Sequence, residues 1–238
     1  MSSTITLQRT ADFIRGHVSG TPVQFSSNSA GDPLFMMADR VRQFILAPPF
    51  AWRWNRAQTS SPLTQGQQDI TLSVPDFGWL EKGIYTDSTA ATWELEVQDS
   101  LSQEVQQNQP RYISTLLDDD NSNLTFRISP PPNDSGTVNI IYQKATPVFS
   151  SVAETWAPIP DWLYYLCTQG MLAEVYEYKN DPRMVAALQI FVKQVIAANA
   201  GLSDTQISLF MGELMYAPRT QAKELQTSQM GRQGRGLF

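Results

Sequence analysis

Few side chains in this chain are of a type that does chemistry, and their spacing limits what that chemistry could be. The only histidine is His17, in a stretch between Gly16 and Gly20 that reads as loop. Serine and cysteine nucleophiles need a base that titrates near neutral pH, so any triad would have to run through His17. The lone cysteine, Cys167, lies near Leu163, Leu166 and Met171 and reads as a small core residue. One Cys and one His far apart cannot build structural zinc, which asks for several such ligands. Asp118, Asp119 and Asp120 suggest calcium, but Asn123 and Ser129 stand where an EF-hand loop needs Gly and Glu, so this run reads as a solvated turn. Gly231, Gly234 and Gly236 follow no strand pattern and so form no phosphate loop. The expectation is a protein with no catalytic residues, no cofactor and no metal.

Two further groups could bind rather than react. Trp79 and Trp93 could stack on sugars, although aromatics on strands are more often core. Arg53 and Arg56, interleaved with Trp52, Trp54 and Asn55, could grip nucleic acid by charge and stacking. The alternative for that segment is that the tryptophans pack between domains and the arginines reach nearby carboxylates. A net charge of -6 argues against a sequence-independent hold on DNA phosphates. Against that acidic background the end of the chain is basic: Arg219, Lys223, Arg232 and Arg235 oppose only Glu224. Residues rich in Gln, Gly, Ser and Arg cannot fold alone, so 219–238 is expected to be an extended tail ordered by a partner through those cations with Leu237 and Phe238.

These groups must be carried by elements, and the apolar periodicity changes along the chain. Leu34, Met37, Val41, Phe44 and Ile45 recur at helical spacing behind Asp32-Pro33, an N-cap and first-turn signature, and Pro48-Pro49 ends the helix. An earlier helix is expected over Ser3 to Arg15, giving way at Gly16. Residues 69–143 alternate apolar and polar instead, with strands around Ile70–Val74, Trp79–Thr86, Trp93–Val97, Arg111–Leu117, Leu124–Ile128 and Val138–Tyr142. Six or so short strands without helical crossovers predict an antiparallel sandwich or small barrel. Asp99 to Gln109 reads as a long exposed loop. Helical spacing returns from Ala157, where Gly170 and Ala173 are small enough for close approach, and again behind Asp181-Pro182 with Met184, Leu188, Phe191, Val192 and Val195. A last helix is expected from the N-cap Ser203 to Tyr216.

The fold class that follows is α+β: a helical bundle with an inserted antiparallel β-sandwich or small β-barrel and an extended C-terminal tail. Residues 1–50 and 155–218 form the discontinuous helical domain, 51–154 the inserted β domain, and 219–238 the tail. Phe50, Trp52 and Trp54 alternate with smaller or polar residues, which predicts an extended interdomain corner with aromatics on one side. No apolar run of about 18 residues exists, and Met1 to Ala11 lacks the layout of a signal peptide, so a soluble, unexported protein is expected.

The corner Ala47-Pro48-Pro49-Phe50-Ala51-Trp52-Arg53-Trp54-Asn55-Arg56-Ala57, the closing strand Val138–Lys144 and the return Pro160-Asp161-Trp162-Leu163 together resemble the head-to-tail adaptors of tailed bacteriophages. That family of short-tailed phages is also called tail tubular protein A or the gatekeeper-type connector, and the resemblance spans roughly residues 3–216. It implies a virion structural protein assembled in the host cytoplasm. Its subunits would form a dodecameric ring between the portal protein and a downstream tail or nozzle protein, with DNA passing through an acidic lumen unbound. It also implies that Arg219, Lys223, Arg232, Arg235, Leu237 and Phe238 form the portal interface. A competing expectation is a tail or baseplate protein whose β domain binds carbohydrate through Trp79 or Trp93. No membrane partner is expected.

Overall fold

A computed structural model describes residues 3–18, 33–104, 106–118 and 123–199. The first helix, α1 (Leu7–His17), is capped by the Thr6 hydroxyl, which accepts from the Arg9 amide. It starts four residues later than the spacing predicts and runs through Gly16, because Thr6, not Ser3, supplies the cap. Ser3 and Thr4 instead hydrogen-bond Asp161 across the fold. The helix α2 (Pro33–Leu46) buries Leu34, Met37, Val41 and Ile45 as their spacing requires. Its expected N-cap, Asp32, lies outside the described residues.

Seven strands follow: β1 (Arg56–Leu63), β2 (Asp69–Ser73), β3 (Phe77–Asp87), β4 (Thr92–Val97), β5 (Tyr112–Asp118), β6 (Asn123–Ser129) and β7 (Gly136–Lys144). They form one sheet in the order β1-β7-β3-β4-β5-β6-β2, and the two edge strands come close enough to make it a nearly closed barrel. Of the two expected architectures the sheet is therefore barrel-like, since among the described residues no second sheet packs on it. Its interior is filled by alternate side chains such as Ile70, Leu95, Ile113, Phe126, Ile128, Val138 and Ile140.

Three features depart from what the alternation predicts. β1 has no apolar run to announce it. It is polar, carries Pro62 and pairs along its length only with β7, and proline is tolerated at such an edge. β4 and β5 pair in parallel, not antiparallel, through Glu96↔Tyr112 and Val97↔Ile113. The long connection after β4 lets the chain travel back before pairing, which a tight turn could not do. In β3 the register with β7 slips between Phe77 and Trp79 and again between Leu80 and Lys82. Such bulges re-aim side chains, and Trp79 turns out of the sheet toward α2.

The chain returns through a short 3-10 turn (Asp161–Leu163) into α3 (Tyr164–Tyr178) and then α4 (Met184–Ala198). The return helix thus begins several residues after Ala157, held off by Pro158 and Pro160. Likewise α4 opens two residues beyond Pro182, because the Asp181 side chain accepts from the Arg183 amide and spends a turn before the helix. α3 packs on α1, α2 and α4. A Cβ on Gly170 would sit 2.6 Å from Val41 Cγ1 and 3.0 Å from the Phe191 ring, so the close approach expected there is made by α2 and α4 side chains. Cys167 is fully buried beside this contact, and burial pushes its thiol far above its usual range.

On the same helix Glu174 faces Arg40 of α2 at 3.5 Å. Burial nonetheless raises its pKa above the ordinary carboxyl value of 4.5, because desolvation outweighs the attraction of Arg40. A carboxyl whose folded pKa is raised binds its proton longer when folded than when unfolded. Stability therefore falls as pH climbs from about 4.5 through the folded pKa, and the loss is complete above it. Glu174→Gln is expected to raise Tm at pH 7 and to leave it unchanged at pH 3. A calorimetric series across that range with equal Tm values throughout would contradict this.

Candidate functional site

The chain crosses twice between the helical part and the barrel, and the first crossing is the aromatic corner. The carbonyls of a helix's last turn lack intrahelical donors. In α2 two of them are met by indoles: Trp52 Nε1 donates to Ile45 O at 2.6 Å and Trp79 Nε1 to Leu46 O at 3.0 Å. Trp79 comes from β3, so the barrel is anchored on the C-terminal end of α2. Phe50 and Trp52 are buried in the helical core, and Trp54 packs half-buried beside Trp52 with ring centroids 5.3 Å apart.

The corner is not the extended segment that its alternation predicts. Residues 53–55 form a turn, closed by the Asn55 amide donating to Trp52 O at 3.0 Å. The reason is tertiary: Asn55 is drawn inward, where its side-chain amide donates to Lys144 O and its carbonyl accepts from the Lys144 amide. That pairing aligns the start of β1 with the end of β7.

The second crossing, residues 145–156, is clamped by Arg42. This arginine is 1% exposed, donates to Pro147 O at 2.9 Å and Thr155 O at 3.0 Å, and lies over the Phe149 ring at 3.4 Å from its centroid. Desolvation pulls its pKa down to about 10, with Asp39 opposing, so it stays charged at neutral pH. Asp39 itself accepts from the Phe149 amide at 2.8 Å. Nothing in the spacing marks Arg42 as buried: it sits in the helical stripe between Val41 and Ile45 and reads as a surface residue. Its role becomes visible only when the returning chain lies on α2.

Two clefts flank the first crossing and share Ala51 and Glu81. One, of about 560 Å³, is lined by Trp52, Arg53, Trp54, Arg56, Trp162 and Asn199, among others. The other, of about 580 Å³, lies between Pro48, Pro49, Trp79, Val97, Asp99 and Thr115. The two arginines of the corner differ. Arg56 is held by Glu81 in bidentate fashion, Nε and Nη2 donating to the two carboxylate oxygens, and Gln143 also donates to Glu81 at 2.7 Å. Arg53 is exposed and makes no ion pair among the described residues. The reading that both arginines reach carboxylates thus holds for Arg56 alone.

The other residues singled out by type are dispersed. His17 sits in the last turn of α1, bonded to Phe13 O at 2.8 Å and packed on the Phe13 ring. Trp93 stacks on Tyr85. Among the described residues no three His, Cys, Asp or Glu side chains group as metal ligands. The Asp119–Asp120 part of the acidic turn lies outside the described residues. So do Arg219, Lys223, Arg232, Arg235, Leu237 and Phe238, and the expected helix from Ser203 to Tyr216.

A helical part and a barrel joined through this corner are spanned together by one family match. The SU10 adaptor protein family matches residues 36–209, which take in nearly all of α2, every strand, α3 and α4. The chain belongs to the SU10 adaptor protein family. No curated protein matches it. As a SU10 adaptor it is a bacteriophage structural component, in agreement with the adaptor class that the corner and closing strand resemble. No helix among the described residues of this adaptor is long and apolar enough to cross a membrane.

Proposed function

We propose that this adaptor joins head to tail as one subunit of a dodecameric ring, of the tail tubular protein A or gatekeeper type. The ring stands between the portal and a downstream tail or nozzle protein, and the genome passes through its lumen without specific binding. The observation that carries the reading is the family match, which covers nearly all of α2, the barrel, α3 and α4 together with the corner between them. Two crossings fixed by part-buried polar contacts suit a subunit that must hold one module at a set angle to the other. In this reading the helical part and residues 219–238 meet the portal, and the barrel faces the tail. The net charge of -6 suits a lumen that repels phosphate and lets DNA move. The role is non-enzymatic, and it is served by shape.

Electron microscopy of the purified chain, alone and mixed with a candidate portal, tests this. Rings capping the portal are expected in the mixture. Unassociated subunits in both samples would sink the reading. Unchanged portal binding after removal of 219–238 would refute the tail assignment alone.

A further inference from the structure

The 560 Å³ cleft at the corner has a composition that the ring reading does not use. Arg53 projects at its rim with no acid paired to it among the described residues, while neighbouring Arg56 is neutralised by Glu81. On the same cleft Trp162, ahead of α3, is 63% exposed. A large indole left in water beside an unpaired guanidinium is costly to keep free and well suited to a partner, since Trp and Arg dominate the binding energy of protein interfaces. The wall behind them is rigid. Trp52 is bonded into α2, and Asn199 donates to Ala51 O at 3.2 Å across the cleft.

We infer that this cleft is a docking site for an acidic segment of another virion protein, with an Asp or Glu carboxylate on Arg53 and the adjoining apolar or aromatic side chain against Trp162. Charge complementarity selects the occupant: among the described residues, the one charged group of the cleft without an ion-pair partner is the Arg53 cation, whose planar fork fits a carboxylate in bidentate geometry. DNA is disfavoured because one unpaired cation among the described cleft residues, on an acidic protein, cannot follow a backbone of phosphates. The inference rests on the adaptor reading above and names a contact within it.

Arg53→Lys keeps the cation and supplies an amine that carbodiimide couples to a touching carboxylate without a spacer. Purified phage particles carrying this variant are treated, digested and analysed by mass spectrometry. A link from position 53 to an Asp or Glu of a different virion protein is expected, and Trp162→Ala in the same background should reduce its yield. Arg53→Glu should lower the titre of infectious particles at least roughly tenfold, because it sets two like charges against each other. The inference is overturned if position 53 couples to no acid or only to acids of the adaptor chain itself, residues 200–238 included. It is equally overturned if Trp162 photo-cross-links to DNA instead, or if Arg53→Glu leaves the titre unchanged. Imaging the same particles separates the two readings: an adaptor seated at the neck but uncoupled at position 53 fails this inference only, whereas an adaptor found elsewhere fails the head-to-tail reading.

Discussion

Arg42→Ala is expected to lower the unfolding free energy by about 2–6 kcal/mol. Two part-buried carbonyls, Pro147 O and Thr155 O, would each lose a charged donor, and the loss of a hydrogen bond to a charged group costs up to about 3 kcal/mol. The Phe149 ring would also lose its flat partner at 3.4 Å, which adds a packing loss in the same place. Because Trp156 lies beside this clamp, with its Nε1 donating to Thr10 Oγ1 at 2.7 Å, its emission should report the loss directly in a urea titration. Arg42→Lys should recover part of the deficit, since one ammonium keeps the charge but lacks the planar fork that spans both carbonyls. A midpoint unchanged by Arg42→Ala would mean that the second crossing is held elsewhere, and the clamp would have to be given up.

Gly136→Val should have an effect of the same order on the barrel. Gly136 opens β7 opposite Asp87, and a Cβ built there would stand 2.3 Å from Thr86 O and 2.8 Å from the Tyr85 ring. The first of these neighbours is backbone inside a paired strand, and the second is a 1% exposed ring whose hydroxyl is bonded to Asp134 O at 2.8 Å. Neither can yield cheaply. Overpacking a rigid site costs about 1–3 kcal/mol and occasionally more, and a branched side chain at a backbone contact belongs at the upper end. Soluble yield and the urea midpoint should both fall, and with them the β3–β7 pairing, followed as faster amide exchange at Thr86 and Thr137. Wild-type exchange at those amides in the variant would show that the turn before β7 can open without cost.

The two substitutions act on different clusters of the same chain. Arg42 sits in the cluster of Leu7, Val41, Trp156 and Phe191, and Gly136 borders that of Phe126, Val138 and Ile140. In the role proposed above, these clusters would serve as two bodies with a fixed joint. Indoles donating to the end of α2 and a guanidinium donating to the returning chain are directional contacts, and they set an angle as apolar packing alone would not.

Wherever one element could bury an apolar stripe by itself, the sequence was enough to read it. Leu34 to Ile45 and Met184 to Val195 specify helices because an amphipathic helix needs only its own spacing. The strands from Ile70 to Tyr142 alternate because one side of each faces the barrel interior. The adaptor class was equally legible. What the tertiary structure alone decided are the features that depend on a second segment arriving. β1 is a strand because β7 supplies partners to a polar edge that has no apolar signal of its own. β4 and β5 run parallel because a long loop permits it. The corner turns at residues 53–55 because Asn55 bonds Lys144, 89 positions away. Arg42 is a clamp, and Arg53 is without an ion pair among the described residues while Arg56 has one, for the same reason: whether a charged side chain is buried, paired or open is fixed by what lies across from it, and one strand of sequence holds no record of that.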